Sequence, residues 1–292
     1  MVKERERWEG WAPLAMAATV GQLPSRPGLY RIRRVGWSGL DYLGQTGMGT
    51  MTLRKRISML RGVYGPVMPY RDPHTAAPGL WALRHQTGCD FEVSVQVVEG
   101  TTQWRKTLEA VAMTGYRRER GSSPILNFGR MPAGYLMSSA NNATLVLSGR
   151  RFRGGPTTEP AASHLPSLPP LTSAPGPSTS SGWGGHRWQP WAPLRGIQVP
   201  VGSVGLYRVR DPHQQGLVYV GQGRIRTRLA AHLAKAARPD HPQARWFGLA
   251  DSECSWTINS SWLAHQRLEL ENDLIAAHFL EHGGPPSAQF LG

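Results

Sequence analysis

Two stretches of this 292-residue chain are copies of each other. Trp11-Ala-Pro-Leu14 recurs as Trp191-Ala-Pro-Leu194, and Gly28-Leu-Tyr30-Arg31 as Gly205-Leu-Tyr207-Arg208. Tyr42-Leu-Gly44-Gln45 recurs as Tyr219-Val-Gly221-Gln222, while Trp81 and Cys89 answer to Trp246 and Cys254 at one constant offset. Leu108-Glu109 and Pro124-Ile-Leu-Asn127-Phe128 answer to Leu270-Glu271 and Pro286-Ser-Ala-Gln289-Phe290. The landmarks keep their order with similar spacing, so the chain reads as a divergent tandem duplication. Its length, about twice that of an ordinary domain, agrees.

Composition places the seam. Residues 154–185 hold seven Pro, six Gly and ten Ser/Thr, with Glu159 the only Asp, Glu, Lys or Arg. Such a stretch buries too little apolar surface to offset its ordering entropy, which predicts a disordered tether. The expected organisation is a first domain over 1–153, a linker over 154–185 and a second domain over 186–292. Trp11–Val20 follows a charged start and resembles a signal-peptide core, but its first four residues recur mid-chain, where nothing is cleaved. We read it as structural and expect a cytoplasmic protein with no membrane association. Two cysteines, Cys89 and Cys254, exclude a disulfide framework and a thiolate zinc site.

Each copy reads as α+β. Leu29–Val35 alternates apolar and basic residues as a half-buried strand does, and a Gly-containing turn leads to a second strand at Asp41–Gln45. Thr52 fits the N-cap of a basic helix, Phe91–Glu99 a third strand, and Thr102 the cap of a helix of about 18 residues. Leu145-Val-Leu147 suggests an added strand. The second copy offers strands at Val204–Arg210, Leu217–Gln222 and Ser255–Ser260, with helices at Arg226–Arg238, Gln243–Leu249 and Ala264–Glu281. The expected fold is a small three-stranded mixed sheet flanked by helices, made twice.

Charge narrows the partner. Formal net charge is +14, and residues 1–153 hold 22 Lys/Arg against 10 Asp/Glu. Of the 33 basic residues, 29 are Arg, whose planar fork pairs with phosphate. A polyanion partner follows, and nucleic acid is the expected one.

The repeated polar residues suggest chemistry. Each copy has a Gly-x-Tyr strand beside a Tyr-x-Gly strand, then a helix with Arg, then a helix with Glu. One carboxylate can hold Mg²⁺, which keeps most of its waters and takes a phosphate oxygen. Arg neutralises charge developing on phosphate, and a tyrosine can accept a proton from attacking water. This set suits phosphodiester hydrolysis.

At these residues the chain resembles the GIY-YIG endonuclease family, over roughly residues 27–130 and 203–292. The resemblance implies two tandem GIY-YIG-like domains and a Mg²⁺- or Mn²⁺-dependent endonuclease acting on DNA. It implies that Tyr30 and Tyr207 are the general bases, and that Tyr42 and Tyr219 orient water or phosphate. It puts the family Arg at Arg56 and Arg228, with Arg54 a close competitor in the first copy. His232, four residues after Arg228, has Leu60 in the equivalent place. Glu109 and Glu271 become the metal ligands. The family Asn falls on Asn127 and is replaced by Gln289, whose extra methylene is expected to displace the amide. With Asn127 and most of the charge, the first copy is expected to carry the main site, the two copies acting as an internal pseudo-dimer. Trp37, Arg54, Lys55, Arg117, Arg118 and Arg151 are the expected nucleic-acid contacts. The alternatives are a nucleic-acid-binding protein that has lost hydrolysis, and an enzyme of this fold acting on a small molecule. Glu269 is expected on another helix face from Glu271, and His278 to serve packing.

Overall fold

The computed structural model describes residues 8–20, 23–47, 49–159, 162–171 and 176–291. The chain forms two compact units, Met1–Arg105 with Ser123–Pro166, and Lys106–Ser122 with Ser167–Gly292. Both are α+β with small antiparallel sheets.

In the first unit β1 (Ala12–Pro13) leads into α1 (Leu14–Val20), then β2 (Gly28–Arg34) and β3 (Tyr42–Gln45). There follow α2 (Leu53–Ser58), α3 (Ala77–Thr87) and β4 (Phe91–Val97). The sheet order is β1-β4-β2-β3, and every pairing is antiparallel. The expected three-stranded mixed sheet is thus corrected to four antiparallel strands. The added strand is the repeated Ala-Pro pair, too short to betray itself by alternation. Thr52 does cap α2, its hydroxyl accepting from Lys55 N at 3.3 Å. Tyr30 and Ile32 point into one core with Leu53, Ile57 and Leu80.

The alternate residues of β2 face the other way. Arg31 lies over the rings of Trp8 and Trp11, at 4.6 and 4.8 Å, and Arg33 over Trp11 at 4.0 Å. Arg33 Nε also donates to Glu92 at 2.6 Å. Such stacking lets a sheet face carry arginines without burying an unpaired charge.

From Thr102 the chain runs into α4 (Thr102–Arg120), most of which belongs to the second unit. The first unit then adds β5 (Tyr135–Leu136), α5 (Ala143–Leu147) and β6 (Gly155–Pro156), with β5 pairing β6. Leu145-Val-Leu147 is therefore helix, not strand. Asn142 decides it: its side chain accepts from Leu145 N at 2.9 Å, an N-cap that outweighs the β-preference of three apolar residues.

The second unit holds β7 (Ala192–Pro193), β8 (Val204–Arg210), β9 (Tyr219–Arg224), α6 (Ile225–Ala236), α7 (Ala244–Phe247), β10 (Glu253–Ile258) and α8 (Ala264–His282). Its order, β7-β10-β8-β9, is again antiparallel throughout. The arginine stacking repeats too, with Arg208 over Trp188 and Trp191 and Arg210 over Trp191 and paired with Glu253. The described parts of the expected linker have partners. Trp183 is fully buried, and Ser167 Oγ and Leu168 N donate to Glu269 at 2.7 and 3.0 Å. A large buried aromatic and a buried carboxylate thus hold described residues of a stretch whose composition alone predicts disorder.

Candidate active site

Two glycines in each copy set the stage. In the second unit Tyr207 of β8 stands opposite Gly221 of β9. A Cβ at Gly221 would collide with the Tyr207 ring, and one at Gly205 with the Thr257 carbonyl. Only glycine lets the ring cross the neighbouring strand. Gly44 plays the same part in the first unit, where a Cβ would lie 2.6–2.8 Å from atoms of Tyr42 and Tyr30. Gly44→Ala is expected to push Tyr30 from its place and destabilise the unit by about 1–3 kcal/mol, read by chemical denaturation. An unchanged midpoint would mean that the ring does not depend on the gap.

Around Tyr207 the second unit gathers four more groups. The Tyr207 and Tyr219 rings stack with centroids 6.1 Å apart. Arg228 and His232 sit one turn apart on α6, on one face. The Arg228 guanidinium lies close enough to both tyrosine hydroxyls to favour their ionised forms. His232 Nε2 lies 2.9 Å from Tyr207 Oη, and its ring stacks on Phe247 of α7 at 4.2 Å. Glu271 comes in on α8, which packs against β9.

The electrostatics follow from burial. Burial pushes the Glu271 carboxyl up to about 7, with Arg228 opposing. Burial and then the Glu271 charge push Tyr219 up to about 12, while Arg228 pulls it down. Tyr207 is raised further, by burial and then by Tyr219. Burial and the nearby cations Lys235 and Arg228 hold His232 down to about 3, so its ring is neutral. Arg228 is raised, chiefly by Tyr207.

The first unit repeats much of this. Tyr30 and Tyr42 stack with centroids 6.0 Å apart, and Arg56 Nε donates to Tyr30 Oη at 3.4 Å. Arg54 turns away and donates to the Leu23 carbonyl. The position matching His232, Leu60, is core. A histidine is nevertheless present: His74 Nε2 lies 2.8 Å from Tyr30 Oη. It comes from the loop before α3, with no sequence spacing to announce it. Glu109 is half-buried on α4, in the part of that helix that belongs to the second unit.

Asn127 and Gln289 prove to be strand clamps. Asn127 accepts from Leu43 N at 2.9 Å and donates to Leu43 O at 2.7 Å. Gln289 Oε1 accepts from Val220 N at 3.1 Å, the matching residue of β9. The longer side chain reaches the same backbone, so the expected displacement of its amide does not occur.

The expected nucleic-acid contacts divide. Arg117 is fully buried, paired with Glu269 at 3.3 Å and Asp273 at 3.1 Å, and is not a surface contact. Its helix packs on α8, and a buried guanidinium needs those carboxylates. Glu269 thus lies apart from Glu271, as its helix face predicts. His278 accepts from Leu217 N at 2.9 Å, a packing role. Lys55, Arg118 and Arg151 are exposed, as is Trp37, whose ring carries Arg34 at 3.7 Å. Arg151 and Arg153 stack on Tyr70 at 4.4 and 4.0 Å. Nearby residues Arg71, Leu136, Leu145, Arg150 and Phe152 line a cavity of about 410 Å³.

Among the described residues no three His, Cys, Asp or Glu side chains come together as a metal cage. The donor set at the second-unit site is one carboxylate, Glu271. That suits a cation that keeps most of its waters and excludes a dehydrated tetrahedral site. No protein-family model, no curated protein and no solved structure matches this chain.

Proposed function

We propose that the chain is a metal-dependent endonuclease of GIY-YIG type, hydrolysing phosphodiester bonds of DNA with a Tyr/Arg/Glu site. One observation carries the reading: Tyr207, Tyr219, Arg228, His232 and Glu271 converge in one unit, and Tyr30, Tyr42, Arg56 and a histidine converge in the other. Two hydroxyls and a guanidinium on one spot match a phosphate and its attacking water. Arg228 takes the charge that builds on the phosphate, and Tyr207, once it has released its own proton to solvent hydroxide, takes the proton of the attacking water. Glu271 would hold Mg²⁺ or Mn²⁺, which when bound polarises a phosphate oxygen. The surplus of basic residues, among them exposed Lys55, Arg118 and Arg151, supplies the backbone contacts.

We assign the principal centre to the second unit, because its five groups all belong to that unit. The contrary expectation leaned on Asn127 and on the charge of residues 1–153; Gln289 makes the corresponding contact, and the charge serves binding wherever the cut is made. A site that grips phosphate without cutting it is the competing reading, favoured by the contact of Tyr207 Oη with His232 and by the burial that holds its proton on.

The test uses Glu271. A carboxyl raised to about 7 binds a cation only after losing its proton. Mn²⁺ affinity, measured by calorimetry on the full chain, is therefore expected to climb as pH rises through about 7, with proton release. Without metal the sign for stability is opposite. Between 4.5 and about 7 the native carboxyl keeps a proton that the unfolded chain has lost, so its stabilising contribution falls as pH rises. Mn²⁺ binding independent of pH, or unchanged in Glu271→Gln, would remove Glu271 from the metal site.

A further inference from the structure

The hydrogen bonds around His74 fix which of its nitrogens carries the proton. Ala76 N–H donates to His74 Nδ1 at 3.2 Å, so that nitrogen presents a lone pair. The ring is fully buried. Burial, and then the Arg56 charge, hold it well below the usual histidine range, with its own carbonyl working the other way. A neutral imidazole has one N–H, and the bond at one nitrogen decides the other. A hydrogen on Nδ1 would meet the Ala76 N–H donor to donor. It therefore sits on Nε2, 2.8 Å from Tyr30 Oη.

We propose that His74 is the positioning residue of Tyr30 and acts as a hydrogen-bond donor, not as a base. Tyr30 Oη then receives His74 Nε2–H and, at 3.4 Å, Arg56 Nε–H. Two donors on one oxygen turn the hydroxyl's own hydrogen away from both. After that proton leaves, the same donors stabilise the tyrosinate. His74 cannot accept the proton, because the nitrogen facing Tyr30 already bears one.

The second unit reaches the same contact by another route. His232 Nε2 is 2.9 Å from Tyr207 Oη, while its buried Nδ1 has no hydrogen-bond partner among the described residues. Orphaned buried N–H groups are rarer than under-used acceptors, which favours the hydrogen on Nε2 there too. The Arg228 charge again stands beside the tyrosine oxygen. One histidine stands on a helix beside its Arg and the other in a loop 18 positions beyond Arg56, so inheritance of one position does not explain the shared contact.

Imidazole ¹⁵N NMR on the full chain, labelled at histidine, tests the tautomer directly. The expected His74 spectrum has a protonated Nε2 and a bare Nδ1 at neutral pH. A protonated Nδ1 would overturn the proposal whether or not any variant folds. His74→Gln keeps an N–H donor and His74→Phe removes it. Tyrosine ¹³Cζ titrations should show Tyr30 ionising about 1–2 pH units higher in the Phe variant and near its original pH in the Gln variant. A Tyr30 titration unmoved by Phe would also sink the idea. These two readouts stand apart from cleavage. The further expectation, that the alkaline rise of any first-unit cleavage shifts with Tyr30, rests on the proposed activity, and its failure alone would count against that activity.

Discussion

Arg228→Ala is expected to lower single-turnover DNA cleavage by about 10²–10³-fold, with little change in DNA affinity. Arg228 lies beside both tyrosine hydroxyls and faces the charge of Glu271. Removing it takes a cation that favours ionisation of both tyrosines away from the place where phosphate charge grows. Arg228→Lys should recover little, since one ammonium cannot reproduce a planar fork that pairs with phosphate in bidentate fashion. Affinity should survive because most backbone contacts come from exposed basic residues elsewhere. If cleavage holds within a few-fold while affinity collapses, Arg228 serves binding alone.

The second large effect is on folding. Arg117→Ala should destabilise the second unit by about 3–5 kcal/mol, because it leaves Glu269 and Asp273 buried without their cation. Asp273 is already pushed upward by burial and held down by Arg117 and Thr114. Joining Arg117→Ala to Asp273→Asn should cost less than the sum of the two single changes. Denaturant unfolding reads both. A surface arginine that touched only phosphate would give no loss of stability and a shallower salt dependence of DNA binding.

Arg117 also marks where sequence reasoning reaches its limit. A basic cluster on an amphipathic helix looks the same whether it faces solvent or a neighbouring helix, and only tertiary packing separates the two. The tyrosines and glycines were legible because their meaning is local: register across a hairpin puts Tyr30 on Gly44 and Tyr207 on Gly221. Arg228 and His232 were legible because one helical turn fixes their neighbourhood. His74 was not, since a loop carries it to Tyr30 and no period links it to Arg56. Asn127 and Gln289 were found by position, but their work as strand clamps needed the backbone they bind. A two-residue strand such as Ala12–Pro13 shows no alternation at all, so the fourth strand of each sheet was visible only as a repeated word.

The assignment of the principal centre to the second unit is tested most directly by plasmid nicking. The full chain, Glu271→Ala and Glu109→Ala are incubated side by side with Mg²⁺ and with a chelator, on duplex, branched and modified DNA. The expected results are metal-dependent cleavage by the unaltered chain, its near-complete loss in Glu271→Ala, and substantial retention in Glu109→Ala. Cleavage indifferent to Glu271, or absent from every substrate while DNA is still bound, would contradict it.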